Sequence, residues 1–205
     1  MEYYSFVKKV LKPLLHVFFP SRFLDLPETL PEGPLVICAN HLSNLDAVLL
    51  GVHLNRRITF MAKKEVFSVP FFGKRAKRLG TIPLTRDGGD AAGLRVAIRA
   101  LQGGAALSIF PQGTRCHCPP EESTIKAGLG MLVSLSGAQV LPVGIHAKDY
   151  KVRLFRKTYF AFGTVQAYPL PDAATKREAM ELLSARIFED VIKEAHRAKD
   201  AKEKK

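Results

Sequence analysis

Asn40-His41-Leu42-Ser43-Asn44-Leu45-Asp46 sets a histidine and an aspartate five positions apart, directly after an apolar run at residues 35–39. Imidazole titrates near neutral pH, so His41 can take a proton from a hydroxyl if a partner fixes its tautomer and stabilises the imidazolium. Asp46 is the candidate partner. On one continuous helix a five-residue step would separate the two side chains by about 140°, so the pair requires a turn between them. Ser43 provides for that turn. It is a good N-cap, and Asp46 three residues on completes a capping-box-like pattern. Asp46 thus has two compatible readings, stabiliser of a helix start and orienting carboxylate of a general base.

About seventy residues further on, Phe110-Pro111-Gln112-Gly113-Thr114-Arg115 follows another apolar run. Gly113 allows backbone N–H groups to approach an anion closely, and the Arg115 guanidinium matches phosphate oxygens in charge and shape. Arg86 closes Gly80-Thr81-Ile82-Pro83-Leu84-Thr85-Arg86 in a similar setting. Either arginine alone reads equally as a solvated surface side chain. Their placement at strand ends, where sites of α/β folds are built, favours an anion cradle. A base and an anion cradle together suggest an enzyme acting on a phosphorylated acceptor. There is no Gly-x-Ser-x-Gly elbow, Walker loop, dinucleotide-binding glycine pattern, zinc-protease motif or calcium loop. A covalent mechanism has no better nominee than Cys116, which favours direct attack by an activated substrate hydroxyl.

These residues need elements to hold them. Strand patterns fall at 35–39, 57–62, 81–84, 105–110 and 139–145, with two more at 152–155 and 159–165. Helical patterns fall at 46–54, 70–79, 90–101, 126–136 and 173–198, with Gly103-Gly104 as a stop and a fraying Lys-rich end. The alternation predicts a single α/β domain, a mostly parallel mixed sheet flanked by helices, antiparallel towards its end. Residues 3–19 predict an amphipathic helix, kinked or split at Pro13 and ended by Pro20. Its apolar stripe fits a membrane interface and core packing equally.

The 205 residues, 47% of them hydrophobic, suffice for one packed core. A formal net charge of +12 favours an anionic partner, whether nucleic acid, membrane surface or acidic carrier protein. Nucleic acid is not expected, because no binding motif or interleaved aromatic platform accompanies the charge. Three cysteines are too few for a disulfide framework, and the odd count fits a reducing compartment. Cys38 reads as a small core residue. Cys116-His117-Cys118 has no second ligand pair at zinc spacing, so no metal is expected. No apolar stretch approaches the ~20 residues needed to span a bilayer, and Lys8, Lys9 and Lys12 interrupt any signal-peptide pattern.

Four blocks, in order over residues 34–146, resemble the glycerolipid acyltransferases, the family of 1-acylglycerol-3-phosphate (lysophosphatidate) acyltransferases. Asn40 to Asp46 resembles the family's His-x4-Asp block. Ala62-Lys63-Lys64-Glu65 is similar to its lysine segment, and Gly80 to Arg86 to its second block. Phe110 to Arg115 resembles its third block, and Leu141-Pro142-Val143 its fourth. Gln112 departs from the family's usual glutamate, and Thr85 stands where an acidic residue is common.

The resemblance implies that His41, held by Asp46, deprotonates a glycerol hydroxyl, which attacks the thioester of an acyl-CoA or acyl carrier protein. It implies that Lys63, Arg86 and Arg115, with Gln112, Gly113 and Thr114, bind the phosphorylated acceptor. No cofactor is implied beyond the acyl donor, which is a substrate. The expected product is phosphatidate, for phospholipid biosynthesis; glycerol 3-phosphate or another lysolipid is the alternative acceptor, and a non-catalytic lipid- or phosphate-binding protein the remote alternative. Such an acceptor lives in a bilayer. The expected organisation is therefore a membrane-docking segment at 1–26 and an acyltransferase domain at 27–205, peripheral on the cytoplasmic side of an anionic membrane. Lys74-Arg75-Lys77-Arg78 and Lys151-Arg153-Arg156-Lys157 would add attraction of about 1 kcal/mol per basic residue near the surface.

Overall fold

The computed structural model describes residues 2–63, 67–68, 74, 78, 80–84, 91–126 and 128–203. In chain order the elements are α1 (Glu2–Phe18), β1 (Ser21–Leu24), β2 (Leu35–Ala39), α2 (Asn44–His53), β3 (Ile58–Lys63), β4 (Ile82–Leu84), α3 (Ala91–Gln102), β5 (Ala106–Ile109), α4 (Gly128–Ser136), β6 (Gln139–Ala147), β7 (Thr158–Phe162) and α5 (Lys176–Glu203). Apart from residues 74 and 78, the helix expected over 70–79 lies outside the described residues, as do Arg86 and the Lys63 side chain.

The strands form a seven-stranded sheet in the order β1-β7-β6-β2-β5-β3-β4. From β6 to β4 all neighbours pair in parallel. β7 runs antiparallel to β6, and β1 is parallel to β7. β2 lies inside this sheet and is fully buried along its length, as a continuous apolar run should be when both faces are covered. Its side chains alternate between two cores. Leu35, Ile37 and Ala39 face Leu49, Leu50 and Val52 of α2 and Leu15 of α1. Val36 and Cys38 face Ala97 and Leu101 of α3, Leu129 and Leu132 of α4, and Leu183 and Ile187 of α5. The result is an α/β/α layered domain, as the alternation of patterns predicts. Burial pushes the Cys38 thiol far above its ordinary value, which suits an inert core residue.

Several expectations are corrected. Pro13 does not split α1, which runs unbroken through it. Proline removes one backbone hydrogen bond, but Pro13 and Lys9 are both exposed, so solvent reaches the freed carbonyl. Residues 152–155 form no strand; they belong to a turn in which Phe155 has φ 56°. The last strand is shorter than expected, and β1, four residues long, is an addition. Nothing in Ser-Arg-Phe-Leu extends far enough to show a period, and its partner β7 is distant in sequence. The C-terminal helix continues to Glu203 without fraying at 198, because Ala198 is buried and Arg197 pairs with Glu194 and Asp25. Gly144 permits the close seating of α5 on β6, since a Cβ there would lie 1.9 Å from the Ala195 nitrogen.

Candidate active site

β2 and β5 are parallel neighbours, with Cys38 opposite Ile109. The segments that leave them therefore emerge side by side at the carboxyl edge of the sheet. This adjacency is what brings Asn40–Asp46 and Phe110–Arg115 together.

Asn40 releases the chain from the sheet. The β2–β6 ladder ends at Ala39↔Val143. Beyond it, the buried Asn40 carboxamide accepts from Ile145 N (2.7 Å) and its Nδ2 donates to Ile145 O (2.9 Å). A side chain thus satisfies the β6 groups that a continuing strand would have paired, and His41 is free to turn away. In the sequence the only signal for this role of Asn40 is a polar residue at the end of an apolar run.

The second segment holds His41 at its backbone and along its ring. Its N–H donates to Gln112 Oε1 (2.7 Å) and its C=O accepts from Cys116 N (2.8 Å). Its ring stacks on Phe110 at 4.1 Å between centroids, with planes 18° apart. Nδ1 lies 2.9 Å from Asp46 Oδ2, and that oxygen also accepts from Leu42 N and Ser43 N, both at 2.7 Å. Ser43 caps α2, and the capping box with Asp46 is complete. One carboxylate oxygen therefore serves both expected purposes, starting the helix and holding the imidazole. The chain turns between them as the five-residue spacing requires.

A carboxylate accepts only, so Nδ1 carries a proton, and in the neutral imidazole Nε2 presents the lone pair. Among the described residues Nε2 has no hydrogen-bond partner, and the His41 side chain is 15% exposed. A mostly enclosed base with one open nitrogen is the result. Asp46 sits at the α2 N-terminus, where converging N–H dipoles favour negative charge.

Gly113, Thr114 and Arg115 are exposed beside this pair. Gly113 has φ 67°, and a Cβ on it would come within 2.6 Å of Lys126 Cε, so the lysine stem crosses directly over the turn. Lys126 also donates its N–H to Pro111 O (2.9 Å). Nothing in the spacing ties residue 126 to residue 113, so this cation over the turn is visible only in the fold. The Gln112 side chain is buried and turned inward, bonded to His41 N and Ser123 Oγ. Lys63 stands in β3, a neighbour of β5. Cys116 and Cys118 are joined in a disulfide, which corrects the expectation of reduced cysteines; its ring is confined to this loop. Among the described residues no His, Cys, Asp or Glu cluster could hold a metal ion.

The acyltransferase family model matches residues 23–146, which span both segments of the site. The chain belongs to the acyltransferase family. It is 26% identical over 155 residues to a 1-acyl-sn-glycerol-3-phosphate acyltransferase of Bacillus subtilis (strain 168), covering 75% of this chain and 76% of the relative. It is 36% identical over 85 residues to a lyso-ornithine lipid O-acyltransferase of Pseudomonas aeruginosa, covering 41% of this chain and 32% of the relative. The crystal structure of a 1-acyl-sn-glycerophosphate acyltransferase from Thermotoga maritima superposes with a TM-score of 0.70 at 20% identity, covering 92% of this chain and 78% of the other. The layered sheet is thus the fold of an acyltransferase, and the protein is an enzyme of that class.

Proposed function

We propose that this acyltransferase moves a fatty acyl group from an acyl thioester, acyl-CoA or acyl carrier protein, to the free hydroxyl of a 1-acylglycerol 3-phosphate, making phosphatidate. The observation that carries the reading is His41, tautomer set by Asp46, with its open Nε2 beside a turn that exposes Arg115. His41 Nε2 takes the hydroxyl proton as the oxygen bonds to the thioester carbon. The C–S bond then breaks, and the leaving thiolate takes the proton from the imidazolium. Asp46 stabilises that imidazolium, and no covalent acyl-enzyme forms. Arg115 and Lys126 hold the acceptor phosphate, with Lys63 and Arg86 completing the cradle; Gly113 and Thr114 shape the turn and offer polar groups to the acceptor. No resident cofactor takes part. The lyso-ornithine lipid relative favours one second reading, in which another lysolipid is the acceptor.

The acceptor reaches the site from a membrane. The stripe of α1 divides into two faces. Tyr4, Leu11 and Leu15 face the fold, with Tyr4 Oη donating to Gly51 O (3.0 Å) and Lys8 Nζ to Leu54 O. Phe6, Val10, Leu14, Val17 and Phe18 are exposed. Phe155 packs against Phe18 with the rings tilted and their centroids 5.7 Å apart, and it and Leu154 extend the exposed apolar surface. Lys9, Lys12, Lys151, Arg153, Arg156 and Lys157 are all exposed on the same two segments. Apolar side chains accompanied by cations suit an anionic bilayer. No described helix is long and apolar enough to cross a membrane. In this reading residues 1–26 with the 151–157 turn dock on the membrane, at its cytoplasmic face, and the remainder carries out acyl transfer.

The test is transfer of a labelled long-chain acyl group from acyl-CoA, and in parallel from acyl carrier protein, to lysophosphatidate in vesicles. Labelled phosphatidate that disappears in His41→Ala, with the fold retained by circular dichroism, is expected. No product from either donor would overturn the acceptor assignment, and an active His41→Ala would overturn the mechanism.

A further inference from the structure

Gln112 belongs to a chain of hydrogen bonds with fixed polarity. The His41 backbone N–H can only donate, so the carboxamide oxygen must face it (2.7 Å) and the carboxamide nitrogen must face Ser123. Nε2 donates to Ser123 Oγ (2.9 Å). The Ser123 hydroxyl is 2.6 Å from Pro120 O and donates its single proton there. Its oxygen therefore offers Gln112 only a lone pair. The chain His41–Gln112–Ser123–Pro120 has three contacts and three protons to fill them. It ties the histidine turn to the short helical turn Pro120–Glu122.

We infer that Ser123 is a positioning residue that makes a carboxamide, not a carboxylate, the required group at position 112, and that the Gln112–Ser123 pair holds the His41 backbone in register for proton transfer. The inference rests on the acyl-transfer reading of the site and deepens it. A glutamate at 112 would leave the chain one proton short. If the serine proton stays on Pro120 O, the carboxylate oxygen meets the Oγ lone pair at hydrogen-bond distance. If the proton turns to the carboxylate, Oγ and Pro120 O are left 2.6 Å apart with nothing between them. Pro120 O also accepts from Ser123 N (3.1 Å), so this carbonyl does not lose its only partner. The cost arises from the oxygen–oxygen contact, which must open and carry the 110–116 turn with it. Protonating the introduced carboxyl supplies the missing proton and restores the chain.

The experiment compares wild type, Gln112→Glu, Ser123→Ala and the double variant in acyl transfer, and follows thermal unfolding from pH 8 down to pH 5.5. Gln112→Glu is expected to lower kcat about three- to tenfold at pH 8, the range of one neutral hydrogen bond, with the acceptor KM unchanged. Its kcat relative to wild type at the same pH should rise as pH falls, and its Tm should approach that of wild type in the same direction. Ser123→Ala should lower kcat with KM unchanged. The double variant should fall short of the product of the two losses, since both interrupt one chain. A Gln112→Glu enzyme as active as wild type at pH 8, a deficit independent of pH, or an effect confined to the acceptor KM would each overturn the inference. Were wild type and His41→Ala equally inactive, the acyl-transfer reading would fail, while the pH dependence of the Tm difference would still report on the chain.

Discussion

Asp46→Asn separates charge from geometry at this site. Among the described residues three donors reach the Asp46 side chain, His41 Nδ1, Leu42 N and Ser43 N, and all converge on a single oxygen, Oδ2. An asparagine that places its carbonyl oxygen there keeps the three bonds, the helix cap and the Nδ1–H tautomer. What it loses is the negative charge facing the imidazolium as proton transfer proceeds. A hydrogen bond to a charged group contributes about 1.5–3 kcal/mol. A neutral bond contributes about 0.5–1.5 kcal/mol, so the reduction forfeits about 1–1.5 kcal/mol; at 1.36 kcal/mol per factor of ten it lowers kcat by roughly five- to tenfold. The other carboxylate oxygen, Oδ1, is buried without a partner among the described residues. The asparagine NH2 would occupy that position with its donors unmet, a cost of about 1–3 kcal/mol, or several degrees of Tm for a chain of this size. The assay is single-turnover acyl transfer at saturating acceptor beside a melting curve. Turnover within threefold of wild type would refute the charge role of Asp46. A loss as deep as that of His41→Ala would refute the claim that the converging donors preserve the tautomer.

Other outcomes follow from the same geometry. Asn40→Ala removes both bonds to Ile145 and strands a buried N–H and C=O, so stability should fall by about 2–4 kcal/mol in denaturant unfolding; an unchanged midpoint would show that the ladder extension is not needed. Replacing Phe6, Val10, Leu14 and Val17 together by serine should abolish sedimentation with anionic vesicles without lowering Tm, because all four are exposed; retained binding would move docking elsewhere. His146 is buried, its Nε2 has no partner among the described residues, and burial, with Lys202 and Lys199 nearby, lowers its pKa from 6.5 to about 4. The unfolded chain therefore takes up this proton first, and stability is lost as pH falls from 6.5 towards 4. His146→Gln should flatten the fall of Tm across that window, and an identical pH profile would exclude the histidine as its source.

Much of the fold was legible because local rules agreed. Residues 35–39 form one uninterrupted apolar run, and that run is a strand buried on both faces. Ser43 and Asp46 carry a capping signal that acts over three residues, so α2 and its start could be read directly. The proline in α1 misled because its cost depends on whether the freed carbonyl reaches water, which is a property of the surface. β1 escaped because four residues hold no usable period, and only pairing with β7 makes them a strand.

The chemistry divides in the same way. Residue types alone singled out a histidine with an aspartate five positions on and a glycine–arginine turn, since those features belong to side chains and short spacings. Only the tertiary structure decided that β2 and β5 lie side by side, so that Gln112 and Cys116 grip the backbone of His41 and Phe110 covers its ring. It also turned Gln112 inward, laid Lys126 over Gly113 and gave Asn40 its place on β6. Each of these contacts joins residues far apart in the chain. A hydrogen bond formed across such a distance has no local propensity to announce it; it exists because sheet order and helix packing put its two ends within three ångströms.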